Sequence, residues 1–414
     1  MRTAIEKLIL GEVELNNNST NMKAKNCRMC KGKNLVQWLD LGLSPHSDHF
    51  HKEKEAEMFY PLGVSVCEDC GLNQLTYIVA KEELYLKDYL YESSITKTAD
   101  AHWTEFAETT TKKIFNVNSG LVIDVGGNDG TLLTKYKALG FEVLNVDPTP
   151  EATQIAIDRG IPTRQEFFGA SEYPKAEMIV GANVFAHIDD LDTFIEKVKD
   201  TLKENGVFVF ESPYFGEFLK GLEYDTVYHQ HLSYLSLKPL VKFLEKHDME
   251  AFDVEQHELH GGGFRVYIAR KGQRIVQPSV QEMIDGETWG KEVLDSFARA
   301  TRKSRDDLVD VITKLHREGK SIAVVSTPAK GNTLLNYTGI GRYIDFATDR
   351  SKLKQGRFLP GTGIEVFSDD ELIKRQPDFA LVLAWNFFPE ITENVRKAGF
   401  KGKLIRPLPR IEII

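Results

Sequence analysis

Four cysteines occur in the chain, and all stand in Cys-x-x-Cys pairs, Cys27 with Cys30 and Cys67 with Cys70. Each pair can sit on one tight turn that aims two thiolates at a single point, and two such turns complete the tetrahedral sulfur shell that Zn²⁺ prefers. Gly32 and Gly71 follow the pairs closely, where a knuckle turn needs unusual backbone angles. Two disulfides are the alternative. The N-terminal residues mix Glu6, Glu12 and Glu14 with apolar side chains and lack a basic-then-apolar leader, so a cytoplasmic setting and a structural metal are expected instead. His46, His49 and His51 lie between the pairs, and with four thiolates filling the shell they read as solvated loop histidines.

A second group, Tyr228-His229-Gln230-His231-Leu232-Ser233-Tyr234, gathers two imidazoles and two phenols in one short stretch. That composition suits general acid–base work, because imidazole titrates near neutral pH. A third group is the turn Asp124-Val125-Gly126-Gly127-Asn128-Asp129-Gly130. Its spacing departs from the dinucleotide fingerprint Gly-x-Gly-x-x-Gly, and the carboxylate of Asp124 suits an ammonium or hydroxyl group better than a diphosphate. Asp147, ending the next apolar run, stands where an acid reaches both hydroxyls of an adenosine ribose. Glu166-Phe167-Phe168 could supply an adenine pocket. A Rossmann turn for a nicotinamide cofactor is the competing reading of the same residues.

These groups need elements to hold them. From residue 121 short apolar runs alternate with helical segments, the pattern of βαβ units around a parallel sheet. Strands are expected at 121–125, 141–146, 178–182 and 206–211, with a helix over 131–139; Asn183 and His187 follow the third of these strands, four residues apart. A second alternating region begins near 319, with strands at 321–326, 343–349 and 379–385, and a helical stretch over 282–315 bridges the two. The aromatic, hydroxyl-rich stretch 85–103 reads as a linker or lid. The expected division is an N-terminal extension over 1–22, a zinc-binding module over 23–84, a cofactor domain over 85–280 and a C-terminal α/β domain over 281–414. A chain of 414 residues exceeds what one core supports. The net charge of -9 and the lack of a long single-sign block argue against a nucleic-acid partner. No apolar run approaches the ~18–20 residues of a membrane span. The oligomeric state is left open by the pattern.

The turn with Asp124 and Asp147 resembles the class I methyltransferase pattern, in which it holds the methionine end of S-adenosylmethionine. From Cys27 onward the chain resembles the nucleotide-sugar C-methyltransferases, above all the C-3-methyltransferases acting on thymidine-diphosphate 4-keto-deoxysugars. The likeness rests on the cysteine pairs, Tyr60-Pro61-Leu62, Cys70-Gly71-Leu72, Tyr91-Glu92-Ser93-Ser94, the turn from Asp124 to Gly130, Val146-Asp147-Pro148, and the stretches 183–187 and 228–234. It continues through 328–337, Lys354-Gln355-Gly356, Pro360-Gly361-Thr362 and Leu383-Ala384-Trp385-Asn386.

The resemblance implies an α/β enzyme in which a class I methyltransferase Rossmann-like domain is flanked by an N-terminal zinc-binding module and a C-terminal Rossmann-like α/β domain. S-adenosylmethionine would meet Asp124, Gly126, Asn128, Gly130, Asp147, Glu166 and Phe167. His231 would be the base that removes the proton α to the sugar's ketone, in a catalytic group with Tyr91, Tyr228, His229 and Gln230, and the enolate carbon would then attack the methyl group. Tyr91 and Tyr228 are candidate oxyanion donors. Asn183 and His187 would contact the sugar, and Lys330, Asn332, Tyr337, Arg350, Lys354 and Asn386 the rest of the nucleotide-linked substrate. The turn at Lys330-Gly331-Asn332 is otherwise an ordinary β–α turn, and Arg350 and Lys354 are otherwise surface charges. One residue departs from the family pattern: Gln230 stands where Tyr-His-Glu-His is common, replacing a carboxylate with a neutral amide. Oxygen or nitrogen methylation of a related sugar, and a non-catalytic zinc- and cofactor-binding protein, are the competing functions.

Overall fold

The computed structural model describes residues 22–85, 90, 97–115, 119–258 and 261–414. Five strands open the chain: β1 (Met22–Lys23), β2 (Leu35–Ser44), β3 (Tyr60–Cys67), β4 (Asn73–Leu75) and β5 (Tyr77–Ile78). Strands β2, β3 and β4 run antiparallel in sequence, and β1 pairs with β5. Leu39 and Leu41 of β2, with Leu62 and Val64 of β3, turn one face of this small sheet inward.

The second unit contains β6 (Leu121–Val125), β7 (Glu142–Val146), β8 (Thr163–Arg164), β9 (Ala176–Ala182) and β10 (Leu202–Pro213). The five run parallel to one another, and their near-continuous apolar runs follow from burial on both faces. Next, β11 (Ser233–Tyr234) leaves this sheet and pairs with β4, completing the N-terminal sheet in the order β11-β4-β3-β2. The chain returns through β12 (Met249–His257) and β13 (Gly263–Arg270), which close the large sheet antiparallel in the order β12-β13-β10-β9-β6-β7-β8.

A third unit holds β14 (Ile322–Val325), β15 (Phe346–Thr348), β16 (Val366–Phe367), β17 (Phe379–Val382), β18 (Lys403–Arg406) and β19 (Glu412–Ile413), in the order β16-β15-β14-β17-β18-β19. Only β19 is antiparallel. Each parallel sheet therefore reverses its winding beside its first strand, between β6 and β9 and between β14 and β17, which is where doubly wound folds open a crevice.

The units share cores. The knuckle residues Cys27, Met29, Cys67 and Cys70 pack with Phe185, Leu235 and Phe264 of the second unit, while Leu39, Phe50 and Val64 pack with Phe297, Leu334 and Leu359 near the C-terminal sheet. Trp38 makes edge contacts with Phe215 and Phe297 at centroid distances of 6.3 and 5.6 Å, and its indole N–H donates to Asn73 Oδ1 at 2.9 Å. Two expectations are corrected here. The stretch 85–103 is not linker throughout, because helix Lys97–Ile114 already contains Trp103, which packs with Phe106 and Ala107 against the large sheet. His46, His49 and His51 are not solvated: His51 is buried, the other two are half-buried, and His46 packs on Tyr60 and His229.

Candidate active site at the junction of two sheets

The four thiols converge, with Cys27 Sγ 3.5 Å from Cys70 Sγ and Cys30 Sγ 3.5 Å from Cys67 Sγ. All four ligand atoms lie within 4.8 Å of one another and none is in a disulfide. A tetrahedral zinc shell with Zn–S near 2.3 Å has edges of about 3.8 Å, so the donor set fits the ion.

A cavity of about 520 Å³ lies between the strand ends of the two parallel sheets, within the size range of sites for small ligands. One end is acidic. Gly126 (φ 66°) and Asn128 (φ 51°) are left-handed, and a Cβ on Gly127 would fall 2.8 Å from Asp124 Cγ. Asp147 Oδ2 accepts from the Asn128 backbone N–H at 3.0 Å and Oδ1 from that of Thr149 at 2.8 Å. Burial, with Asp147 and Asp129 nearby, pushes Asp124 well above the usual carboxylate range, and its Oδ1 has no hydrogen-bond partner among the described residues. Burial raises Asp147 as well. Phe167 lines the same end, with Lys81 Nζ 4.8 Å from its ring centre. Gly130 is left-handed at the start of helix Thr131–Ala138 and packs under Ile161, off the cavity wall. Glu166 is also off the wall, accepting from Tyr173 Oη at 2.9 Å.

The wall by the second parallel sheet carries both signs, with Glu223, Asp349 and Asp369 beside its cations and Asp369 Oδ2 3.4 Å from Arg350 Nε. Lys330, Arg350 and Lys354 all line it. Lys330 Nζ sits 4.4 Å from the ring centre of Trp385, whose indole N–H donates to Asp225 Oδ2 at 2.7 Å. Burial lowers the Lys330 pKa, with Asp225 and Glu223 opposing. Lys354 is buried, not a surface charge, and donates to the Thr327 carbonyl at 2.8 Å. Three residues expected on this wall stand off it. Asn332 donates to the Ser47 carbonyl at 2.6 Å, Tyr337 packs edge-on to Tyr224, and Asn386 is a neighbour of Gly261 and Glu223.

Asn183, His187, Tyr228 and His231 line the same cavity. Asn183 takes a left-handed conformation (φ 58°) after β9, which turns the chain into the short 3-10 helix Phe185–His187. His231 Nδ1 is 2.8 Å from the Thr226 carbonyl, an acceptor only, so Nδ1 carries the proton and Nε2 the lone pair. The Tyr228 hydroxyl donates to that Nε2 at 2.7 Å. The His187 ring lies 5.0 Å from the His231 ring. Burial pulls His231 down to about 4 against a small opposing effect of the Thr226 carbonyl, and burial and His231 hold His187 well below its ordinary value. Both are neutral at pH 7. His229 instead points its Nε2 to the Pro61 carbonyl at 3.3 Å, and Gln230 is buried with Oε1 unpartnered among the described residues; neither lines the cavity. Tyr91 lies outside the described residues.

Some wall residues carried no sequence signal strong enough to single them out. Asp48, from the N-terminal module, is pushed up to about 6 by burial against the pull of Lys354, and Glu223 up to about 8 by burial in spite of Lys330. His102, Glu211 and His257 bring ligand atoms together beside β10. Arg265 donates to the same Glu211 carboxylate at 2.7 Å and already supplies the countercharge a metal ion would bring.

Comparison with known proteins decides the family. Three family models match in chain order: a zinc binding domain over 27–85, a methyltransferase domain over 99–254 and a C-methyltransferase C-terminal domain over 258–409. The C-methyltransferase NovU of Streptomyces niveus is 30% identical over 405 residues, covering 94% of this chain and 96% of its own. The chain belongs to the C-methyltransferase family. This C-methyltransferase depends on S-adenosylmethionine, carries a four-cysteine zinc-binding site and methylates a small molecule. Solved structures similar to the C-methyltransferase include an S-adenosylmethionine-dependent methyltransferase from Clostridium acetobutylicum, at 15% identity and TM-score 0.34, covering 42% of this chain and 92% of that one. Another is a ribosomal protein L11 methylase from Lactobacillus delbrueckii subsp. bulgaricus, at 18% identity and TM-score 0.31, covering 41% and 79%. Among the described residues no helix is long and apolar enough to cross a membrane.

Proposed function

We propose that the enzyme methylates the carbon α to the ketone of a nucleotide-linked 4-keto-deoxysugar, with thymidine diphosphate as the carrier, and that His231 is the base. The observation that carries this reading is what one cavity wall brings together: the acids Asp124 and Asp147, a neutral imidazole of fixed tautomer at His231, and the cations Lys330, Arg350 and Lys354. S-adenosylmethionine, when bound, supplies the electrophilic methyl group. Asp124, with its unpartnered oxygen, would meet the cationic methionine end, and Asp147 the ribose. Lys330, Arg350 and Lys354 would face the diphosphate.

A carbon acid beside a carbonyl needs a base that is unprotonated at working pH and a donor for the oxyanion. His231 meets the first need through its Nε2 lone pair, which the single Tyr228 proton caps; once substrate displaces that bond, the lone pair is free to take the α proton and the Tyr228 hydroxyl to donate to the oxyanion. Asn183 and His187 stand beside them as sugar contacts. Gln230, behind the wall, touches this chemistry only through the backbone, where its carbonyl accepts from Leu232 at 3.2 Å. The test is mass spectrometry of the products from S-adenosylmethionine and a panel of nucleotide-linked 4-keto sugars in deuterated water. A methyl group on carbon, with solvent deuterium entering beside the ketone, supports the reading. Methyl on oxygen or nitrogen, or no product from any keto sugar, overturns it.

A further inference from the structure

Arg28 lies inside the first knuckle, between Cys27 and Cys30, and its side chain is 8% exposed. Its guanidinium faces away from the thiols. Nε donates to Ser233 Oγ at 3.2 Å, while Nη2 donates to the Ile188 carbonyl and to the Asp189 carbonyl, the latter at 2.7 Å. Nη1 lies 3.8 Å from Asp189 Oδ1. The backbone of the knuckle is tied to the same place: the Arg28 N–H donates to Gln74 Oε1 at 2.9 Å, and Gln74 pairs with Ser233 across β4 and β11. Lys31 adds a bond to the Arg28 carbonyl at 2.8 Å and an ion pair with Asp192.

The two segments held by this one side chain are the ones that carry the two cavity histidines. Ile188 and Asp189 directly follow His187, and Ser233 is two residues beyond His231. We propose that Arg28 is a positioning residue that sets the spacing of His187 and His231, so that the zinc knuckle acts on the reacting centre through a guanidinium. The proposal rests on the reading of His231 as the base. Burying a cation among carbonyls is costly unless its donors are satisfied, and a planar fork with several N–H groups does this where a single ammonium cannot. A tether serving only to fasten the zinc module would need no contact with either histidine segment.

The test is Arg28→Lys in the full-length enzyme, with zinc content, S-adenosylmethionine affinity, kcat, KM and the imidazole ¹⁵N resonances all measured. The expected result is one zinc per chain and unchanged KM, with kcat lower by about 10²-fold, the scale of a 1 Å misplacement. The His187 and His231 resonances should move while that of exposed His316 stays. Resonances that do not move, with kcat within about twofold of the parent, overturn the proposal. The resonances read the clamp without turnover, so an active His231→Asn would sink the base assignment separately. If Arg28→Lys loses zinc, Ser233→Ala removes one acceptor outside the knuckle. A shifted His231 resonance and a kcat loss of about tenfold, the worth of one hydrogen bond to a charged group, then support the clamp; no change in either overturns it.

Discussion

An aspartate follows the second strand of each parallel unit, Asp147 after β7 and Asp349 after β15. In each, one oxygen accepts from the N–H two residues on, Thr149 or Ser351, both at 2.8 Å. The other oxygen accepts from the turn after the first strand, at Asn128 (3.0 Å) or Thr327 (2.7 Å). The left-handed residue opening that turn is Gly126 in one sheet and Ser326 (φ 64°) in the other. Charge separates them. The acids Asp124 and Asp129 surround Asp147, which burial raises above the usual carboxylate range. Burial pushes Asp349 upward too, but Lys354 and the hydrogen bonds from Ser351 and Thr327 outweigh it and hold that carboxyl below the usual range. One backbone plan thus gathers acids alone in the first sheet's crevice and sets acids beside Lys354 and Arg350 in the second, and the two open into a single cavity.

The largest test of this division is at the seam itself. His231→Asn should lower kcat by about 10²–10⁴-fold, the usual worth of a positioned base, while calorimetry finds S-adenosylmethionine affinity intact. A next pair of variants addresses the ends. Asp124→Asn should weaken S-adenosylmethionine by about 10–10²-fold and leave the KM for the nucleotide sugar unmoved, and Lys330→Met should raise that KM by about tenfold and leave the cofactor alone. Equal effects of either change on both ligands would break the two-ended description.

Acid sensitivity comes next in size. In the folded chain burial holds His46 at about 3, and His229 and His231 at about 4, against about 6.5 when unfolded. Between these limits the unfolded chain binds more protons, so stability is full above about pH 6.5 and is lost as pH falls toward 4. Denaturant midpoints measured across that range check the sign; a midpoint independent of pH there would remove the buried neutral imidazoles. The smallest effect on turnover is expected from Gln230→Glu. It buries a carboxylate off the cavity wall, so Tm should fall while kcat stays within about twofold.

Much was legible in the residues alone. Four thiols in two tight pairs have one economical use, and strongly apolar runs punctuated by Gly126, Gly130 and the acids at strand ends announce a doubly wound sheet because periodicity and turn chemistry are local properties. The strand at 121–125 and the acid turn after it stand where that reasoning places them. What periodicity could not supply were partners distant in sequence. That β11 would leave the large sheet to complete the small one, that Asp48 would reach the cavity from the zinc module, that His229 and Gln230 would face away while His231 faces in, and that Arg28 would span both histidine segments are all consequences of packing. A residue type and its neighbours determine what chemistry a side chain can do; which side chains meet, and which are desolvated enough to do it, is decided only when non-local cores close around them.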